Sequence, residues 1–262
     1  MMEPLTQQQA KDFGKLRLKK FRDEQQCMLL EGERLVTDAL RSPAALRMVI
    51  VERGKEDRYA ALLDSAEARG SELRIAAPKL FERMADTRSP QGIAAVAELP
   101  TLDPESALEQ ADDRLPLFAL HGVTDPGNLG TIIRSTAWFG GNTLLLSADS
   151  VDPFSPKVVR GSMGAIFNVR IGQYPSAAWL IDAAERSNRR LAVTSAEGGT
   201  APGEVAHSSS ILAVLGNEAH GVPEELMDAA GMRVTIPGGG TESLNLSISH
   251  AILQFSWSTQ KG

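Results

Sequence analysis

The chain's 262 residues carry 33 acidic and 27 basic side chains, a net charge of −6, with 42% hydrophobic and 23% charged content. This composition fits a soluble globular protein of one large or two ordinary domains, and its acidic balance speaks against a uniformly basic nucleic-acid coat. A single cysteine, Cys27, excludes an internal disulfide; residues 1–20 hold no apolar signal core, and no apolar run reaches the ~18 residues of a membrane span, so the cytoplasm is expected.

The negative average hides a local excess near the start. Lys11, Lys15, Arg17, Lys19, Lys20 and Arg22 stand against one acid, Asp12. Such a run is either the solvated face of a helix or a basic arm laid along an RNA backbone. Next, Leu35, Val36, Ala39 and Leu40 repeat at helical spacing over Glu33 to Leu40, and Leu46 to Val51 reads as a strand. A helix is expected over Glu56 to Arg69, stopped by Gly70, then a strand at Leu73 to Ala76. Pro78 opens a helix to about Ala85, and Gly92 to Leu99 is a further strand. Residues 1–100 therefore form a small α/β unit. The stretch 101–114, rich in acids and bearing Pro104, reads as a linker or short connecting helix.

Residues 115–262 form the second unit. Strands are expected at Leu117 to Leu120, Thr143 to Leu146, Phe167 to Ile171, Leu191 to Thr194, Ile211 to Leu215 and Arg233 to Ile236. Helices are expected at Asn128 to Phe139, Pro156 to Met163, Ala177 to Ser187, Pro223 to Asp228 and Leu244 to Trp257. Apolar strands without strict alternation, separated by helices, give a doubly wound α/β fold on a parallel sheet. In such folds ligands sit beyond the carboxyl ends of the strands.

Three polar, glycine-containing turns fall there. The first, Asp125-Pro126-Gly127-Asn128-Leu129-Gly130, leads into a helix on which Arg134 is the lone large charge. Asn128 is a candidate helix cap. Arg134 suits either an ion pair or the grip of a phosphate. The second, Leu215-Gly216-Asn217-Glu218-Ala219-His220-Gly221, follows a fully apolar strand, and Gly216 allows a positive φ or close approach of a ligand. Glu218 is either a helix-start acid or a ligand contact. The third runs from Ile236-Pro237 through Gly238 to Gly240 into Thr241-Glu242-Ser243-Leu244-Asn245-Leu246-Ser247. Here Ser243 can cap the last helix and Asn245 can satisfy an early amide. The chain has no HExxH, paired CxxC, Walker lysine loop or dinucleotide fingerprint, so a metal centre is not expected.

In order and identity the three blocks resemble the motifs of the SpoU (TrmH) family of RNA 2′-O-ribose methyltransferases, of the SPOUT class. Residues 13–99, with the basic run and Leu30-Glu31-Gly32-Glu33-Arg34-Leu35-Val36, resemble the L30e-like substrate-binding domain often joined to it. The resemblance implies a SPOUT-type parallel sheet flanked by helices with a C-terminal trefoil knot, a homodimer, and S-adenosylmethionine as cofactor. The implied reaction is methylation of a ribose 2′-hydroxyl in RNA, of 23S-type rRNA before tRNA. Arg134, Asn128, Glu218, Ser243 and Asn245 would be the catalytic set, and Leu215, Gly216, Ile236, Pro237, Leu244 and Asn245 would hold the cofactor. Lys15, Arg17, Lys19, Lys20, Arg22 and Arg34 would meet the RNA. The glycine stretch departs from the family pattern, which often has an apolar residue there. Leu244, Ile248, Ala251, Ile252 and Phe255 fit packing in the core or between subunits. The alternatives are an RNA-binding protein that kept the fold without catalysis, and a dinucleotide enzyme, which the missing phosphate fingerprint disfavours.

Overall fold

The computed structural model describes residues 2–206, 210–239 and 243–259. The chain divides into two compact units, residues 1–100 with Phe154–Phe167, and Thr101–Pro153 with residues 168–262.

The first unit holds β1 (Glu3–Pro4), α1 (Gln7–Lys15), α2 (Lys19–Gln25), β2 (Cys27–Glu31), α3 (Glu33–Leu40), β3 (Leu46–Glu52), α4 (Ala60–Ala68), β4 (Glu72–Ala76), α5 (Pro78–Met84) and β5 (Ile93–Glu98). Its sheet runs β1-β4-β3-β5-β2, parallel from β1 through β3 and antiparallel from β3 through β2. Ile50, Val96, Phe81, Met84 and Leu16 are among its buried core. The basic run is not one helix: α1 ends at Lys15 and α2 begins at Lys19. The helix expected over Glu56 to Arg69 opens as a 3₁₀ turn at Asp57–Tyr59, because Tyr59 is buried there with its hydroxyl donating to the Gln91 carbonyl at 2.9 Å. Gly32, at φ +96°, cannot cap α3 with a side chain, and the Gln91 side chain accepts from Glu33 N at 2.8 Å instead.

The second unit holds α6 (Pro104–Glu109), β6 (Leu117–Leu120), α7 (Pro126–Trp138), β7 (Thr143–Ser147), β8 (Arg170–Tyr174), α9 (Ala177–Arg186), β9 (Arg190–Thr194), β10 (Ile211–Leu215), α10 (Glu224–Ala229), β11 (Met232–Val234) and α11 (Leu246–Ser258); α8 (Pro156–Gly161), between β7 and β8, belongs to the first unit. The strand order is β11-β9-β10-β6-β7-β8, every pair parallel. Every residue of β6, β7 and β10 is buried, as a sheet covered on both faces requires.

One boundary differs from that expected, and the stretch 101–114 takes the second of its two readings, a short helix. Asp103 caps α6 through Ser106 N at 3.0 Å, and Ala107 and Leu108 join the second core. Gly172 of β8 makes room, since a Cβ there would lie 2.7 Å from that of Ala107. The segment Phe154–Phe167, expected in the second unit, packs with the first. Among the described residues no helix is long and apolar enough to cross a membrane.

The last helix is fixed by polar groups on its buried face. His250 is fully buried, with Nδ1 3.0 Å from Ser135 Oγ and Nε2 3.3 Å from Thr136 Oγ1 of α7, and its ring meets Phe118 edge-on at 4.7 Å. Trp257 stacks on Phe118 at 5.8 Å and donates to the Pro202 carbonyl at 3.0 Å. Ile248, Ile252 and Phe255 lie on the exposed side. The helix therefore shows solvent an apolar face and the core a partly polar one.

Burial lowers the His250 pKa from 6.5 to about 3. The folded chain holds this imidazole neutral while the unfolded chain takes up a proton. Its stability contribution is complete above pH ~6.5 and is lost as pH falls toward the folded value, at no more than about 1.4 kcal/mol per pH unit. Urea midpoints between pH 7 and pH 5 should fall in the wild type, and less steeply in His250→Gln. Equal slopes would remove His250 from the acid response.

Candidate functional site

Leu120 and Leu215 end neighbouring parallel strands in register, so the first two motif turns leave the same edge side by side. The two loops are tied at their roots. His121 N donates to the Leu215 carbonyl at 2.9 Å, and Asn217 Nδ2 donates to the Gly122 carbonyl at 2.6 Å. The first loop is tied to the end of β7 by Gly122 N donating to Ser147 Oγ at 2.8 Å. Beneath lies Tyr174, 3.0 Å from His121 Nδ1, its phenol pKa raised by burial.

The second loop closes on itself. Asn217 and Gly221 exchange both backbone hydrogen bonds, at 3.0 and 2.8 Å, with Gly221 at φ +69°. Asn217 Oδ1 accepts from the amides of Ala219 at 2.8 Å and His220 at 3.1 Å. Sequence reasoning did not single out Asn217. Its signal was an Asx turn, an asparagine accepting from amides just ahead between two glycines. Gly216 is needed here for a reason other than a positive φ or a ligand. A Cβ on it would collide with the Gly221 carbonyl group.

The three motifs meet in a chain of hydrogen bonds. Asn128 Nδ2 donates to Glu218 Oε1 at 2.7 Å, and Asn245 Nδ2 donates to Asn128 Oδ1 at 3.0 Å. Asn245 Oδ1 caps α11, accepting from Ser247 N at 2.9 Å, Ser247 Oγ at 2.6 Å and Ile248 N at 3.4 Å. The cap fixes which way the Asn245 amide faces. That orients Asn128, whose amino group must then meet the carboxylate. Glu218 and Asn245 are exposed and Asn128 is half-buried.

Two capping expectations are corrected. Asp125, not Asn128, caps α7 by accepting from Asn128 N at 2.8 Å, and Pro126 fills the first helical position. This leaves the Asn128 side chain for the site. Asn245 is the cap of α11, so Ser243, exposed two residues earlier, is not. Arg134 is exposed on α7, six residues beyond Asn128, and has no hydrogen bond or ion pair among the described residues. The structure does not bond it to the Asn128 chain.

Of the expected cofactor residues, Leu215 is buried, Ile236 is half-buried, Pro237 is exposed, and Leu244 is 47% exposed. A Cβ on Gly238 or Gly239 would meet nothing within 4 Å, so no local crowding requires glycine at either. Gly240, Thr241 and Glu242 lie outside the described residues.

The expected RNA contacts are divided. Lys15 pairs with Asp12 at 2.8 Å, Lys19 with Asp23 at 2.9 Å, Lys20 with Glu24 at 3.8 Å and Arg34 with Asp38 at 3.7 Å. Arg17 is exposed. Arg22 is withdrawn from the RNA-facing set. It is 2% exposed, and its Nη1 donates to the Leu16 carbonyl at 2.6 Å, closing the turn between α1 and α2.

The family model described as SpoU rRNA Methylase matches residues 116–255, and one described as MRM3-like substrate binding domain matches residues 7–95. The chain belongs to the SpoU rRNA methylase family. It is 29% identical over 255 residues to the Bacillus subtilis 23S rRNA (guanosine(2553)-2′-O)-methyltransferase, covering 97% of each chain. Mitochondrial rRNA methyltransferase 3 of Xenopus tropicalis is 37% identical over 155 residues, 58% of this chain and 37% of that one. The crystal structure of an AdoMet-bound rRNA methyltransferase from Sinorhizobium meliloti superposes with a TM-score of 0.85 at 28% identity, covering 97% of this chain and 95% of that one.

Gly216→Ala should lower the unfolding free energy by about 1–3 kcal/mol, because added bulk in a packed site forces backbone shifts. Hydrogen exchange at residues 216–222 should accelerate. An unchanged midpoint with unchanged exchange would show that the loop has room that the close approach to Gly221 denies.

Proposed function

We propose that the protein transfers the methyl group of S-adenosylmethionine to a ribose 2′-hydroxyl of RNA, with 23S-type rRNA as substrate before tRNA. The observation that carries this is the chain Glu218–Asn128–Asn245, which joins all three motif loops at the carboxyl edge of the sheet. The B. subtilis relative is named for this reaction on 23S rRNA, and the S. meliloti structure is described as AdoMet-bound.

The residues fit such a cofactor. The bonded cluster holds one carboxylate and two amides and no cation, which suits a sulfonium. Leu244, part-exposed ahead of α11, offers an apolar surface to adenine, with backbone groups of Leu215, Gly216, Ile236 and Pro237 as its polar partners. When bound, S-adenosylmethionine supplies an activated methyl group and a neutral thioether leaving group.

The protein's task is then alignment and removal of the hydroxyl proton. A guanidinium keeps its proton, so Arg134 is not the base. Exposed and without a partner among the described residues, it grips the phosphate beside the target ribose and stabilises charge growing on the 2′-oxygen. The proton leaves to a phosphate oxygen or to solvent. Asn128 and Asn245, each with a second N–H beyond the chain, position the ribose and cofactor. Ser243, two residues ahead of Asn245, helps orient the hydroxyl, and Glu218 holds Asn128.

The same reading includes the C-terminal knot, a cytoplasmic site of action and a homodimer. For the dimer the support is the outward apolar face. Phe255 is 55% exposed, Ile248 50%, and Trp138 80% at the end of α7, where the neighbouring Phe139 ring meets Phe255 at 5.8 Å.

Labelled methyl transfer to total RNA from a strain lacking the gene tests the reaction. Arg134→Ala should lose about 10²–10³ in kcat, the scale for removing one charge-stabilising donor. Its cofactor affinity by calorimetry should stay within about threefold. Near wild-type turnover would refute the role of Arg134, and no label in any RNA or assembling ribosomal particle would refute the reaction. In sedimentation, the wild type should run as a dimer and Ile248→Asp/Phe255→Asp as a folded monomer. A monomeric wild type would refute the dimer.

A further inference from the structure

The basic run holds six cations, but the structure neutralises or buries most of them. Lys15, Lys19 and Lys20 have acids beside them, and Arg22 is turned inward. Lys11 and Arg17 have no ion pair among the described residues. Both line a cleft of about 260 Å³ between α1 and α5, together with Lys15 and, from α5, Arg83. Arg83 lies far outside the run in sequence and likewise has no ion pair among the described residues. Among the described residues no carboxylate lines the cleft.

Gly14 explains how the two helices bring these charges together. A Cβ on it would lie 3.2 Å from the Arg83 carbonyl oxygen, so α1 seats directly on the last turn of α5. Ala10, Leu16, Phe81 and Met84 hold that contact in the core. Apolar packing thus fixes the backbone that carries three cations without an ion pair among the described residues, and a fourth paired with Asp12, around one opening. Lys11, Arg17 and Arg83 are exposed, so water and salt screen their repulsion, and an anion in the cleft is attracted by all of them. The cleft is smaller than the roughly 300–1,000 Å³ of an enclosed small-molecule site. A sugar–phosphate backbone passing through fits better than a metabolite held inside.

We infer that this cleft is a phosphate-binding subsite for the RNA substrate, in which Arg83 completes a set begun by Lys11 and Arg17. The identity of the polyanion as RNA rests on the methyltransferase reading above; the anion site itself does not.

The test uses the full chain and total rRNA from a strain lacking the gene, with filter binding across a salt series. Arg17→Gln/Arg83→Gln is compared with Arg41→Gln/Arg53→Gln, which removes the same charge from the same unit outside the cleft. The cleft variant should lose about tenfold in affinity near 0.1 M salt and about 1.5 in the slope of log K against log salt, at ~0.7–0.9 per phosphate contact. The control should change affinity less than about twofold. Arg83→Lys on the Arg17 background should recover part of the slope, which a folding defect would not allow. Equal losses in both variants, no loss in either, or no binding by the wild type would overturn the inference. So would a loss of binding to phosphatidylserine vesicles in the cleft variant with no effect on RNA. Cofactor affinity separates the two readings. If the wild type neither binds S-adenosylmethionine nor methylates, yet RNA binding tracks Arg17 and Arg83, the methyltransferase reading fails and the cleft stands. Methylation with RNA binding indifferent to the cleft gives the reverse.

Discussion

Two parallel strands, β6 and β10, lie side by side and end together, and the candidate site depends on that register. Parallel pairing sends both following loops off the same edge, so residues 90 positions apart in sequence meet without further help. Both faces of these strands are buried, so a shift of one residue would exchange side chains between two differently shaped packing surfaces, taking Phe118, for instance, from its place against His250 and Trp257. Backbone ties at the roots, from His121 to Leu215 and from Asn217 to Gly122, then carry the strand register into the loops. Only after that can Asn128 meet Glu218.

Much of this was legible in the residues. The apolar runs ILAVL and LFAL gave the covered parallel sheet, and the three glycine-bearing turns fell at its carboxyl edge as expected. The hydrogen-bond partners were not legible. Asn128, Ser243 and Asn245 all had cap chemistry, and sequence alone could not divide the caps among them. The choice went to Asp125 because Pro126 places it one residue ahead of the helix, and to Asn245 because its amide can serve the helix and Asn128 together. Gly216 was read by its freedom, whereas the structure needs its smallness. The basic run misled most. Charge counting treats Arg22 and Arg17 alike, but the turn at Leu16 buries one and exposes the other, and it gave no hint of Arg83 across the helix contact.

The final helix reverses the usual arrangement of surface helices. Ser247, His250 and Gln254 face inward and Ile248, Ile252 and Phe255 face outward. His250 is tolerable there because its imidazole is neutral and bonded to two hydroxyls of α7. Ser247 and Gln254 Nε2 are bonded too, whereas Gln254 Oε1 has no hydrogen-bond partner among the described residues. Hydrogen bonds have direction, so this face docks in one rotation about its axis, where a purely apolar face could turn or slide. That single rotation points Asn245 at Asn128.

Because Asn245 sits at the start of α11, the site has an order in time as well as in space. During synthesis the sheet strands and both motif loops emerge before the last helix does. A nascent chain stopped short of α11 can pair its strands but lacks the donor that turns the Asn128 amide toward Glu218. The site is therefore completed by the chain's C-terminal helix, and truncated translation products would carry the fold's sheet without its orienting amide.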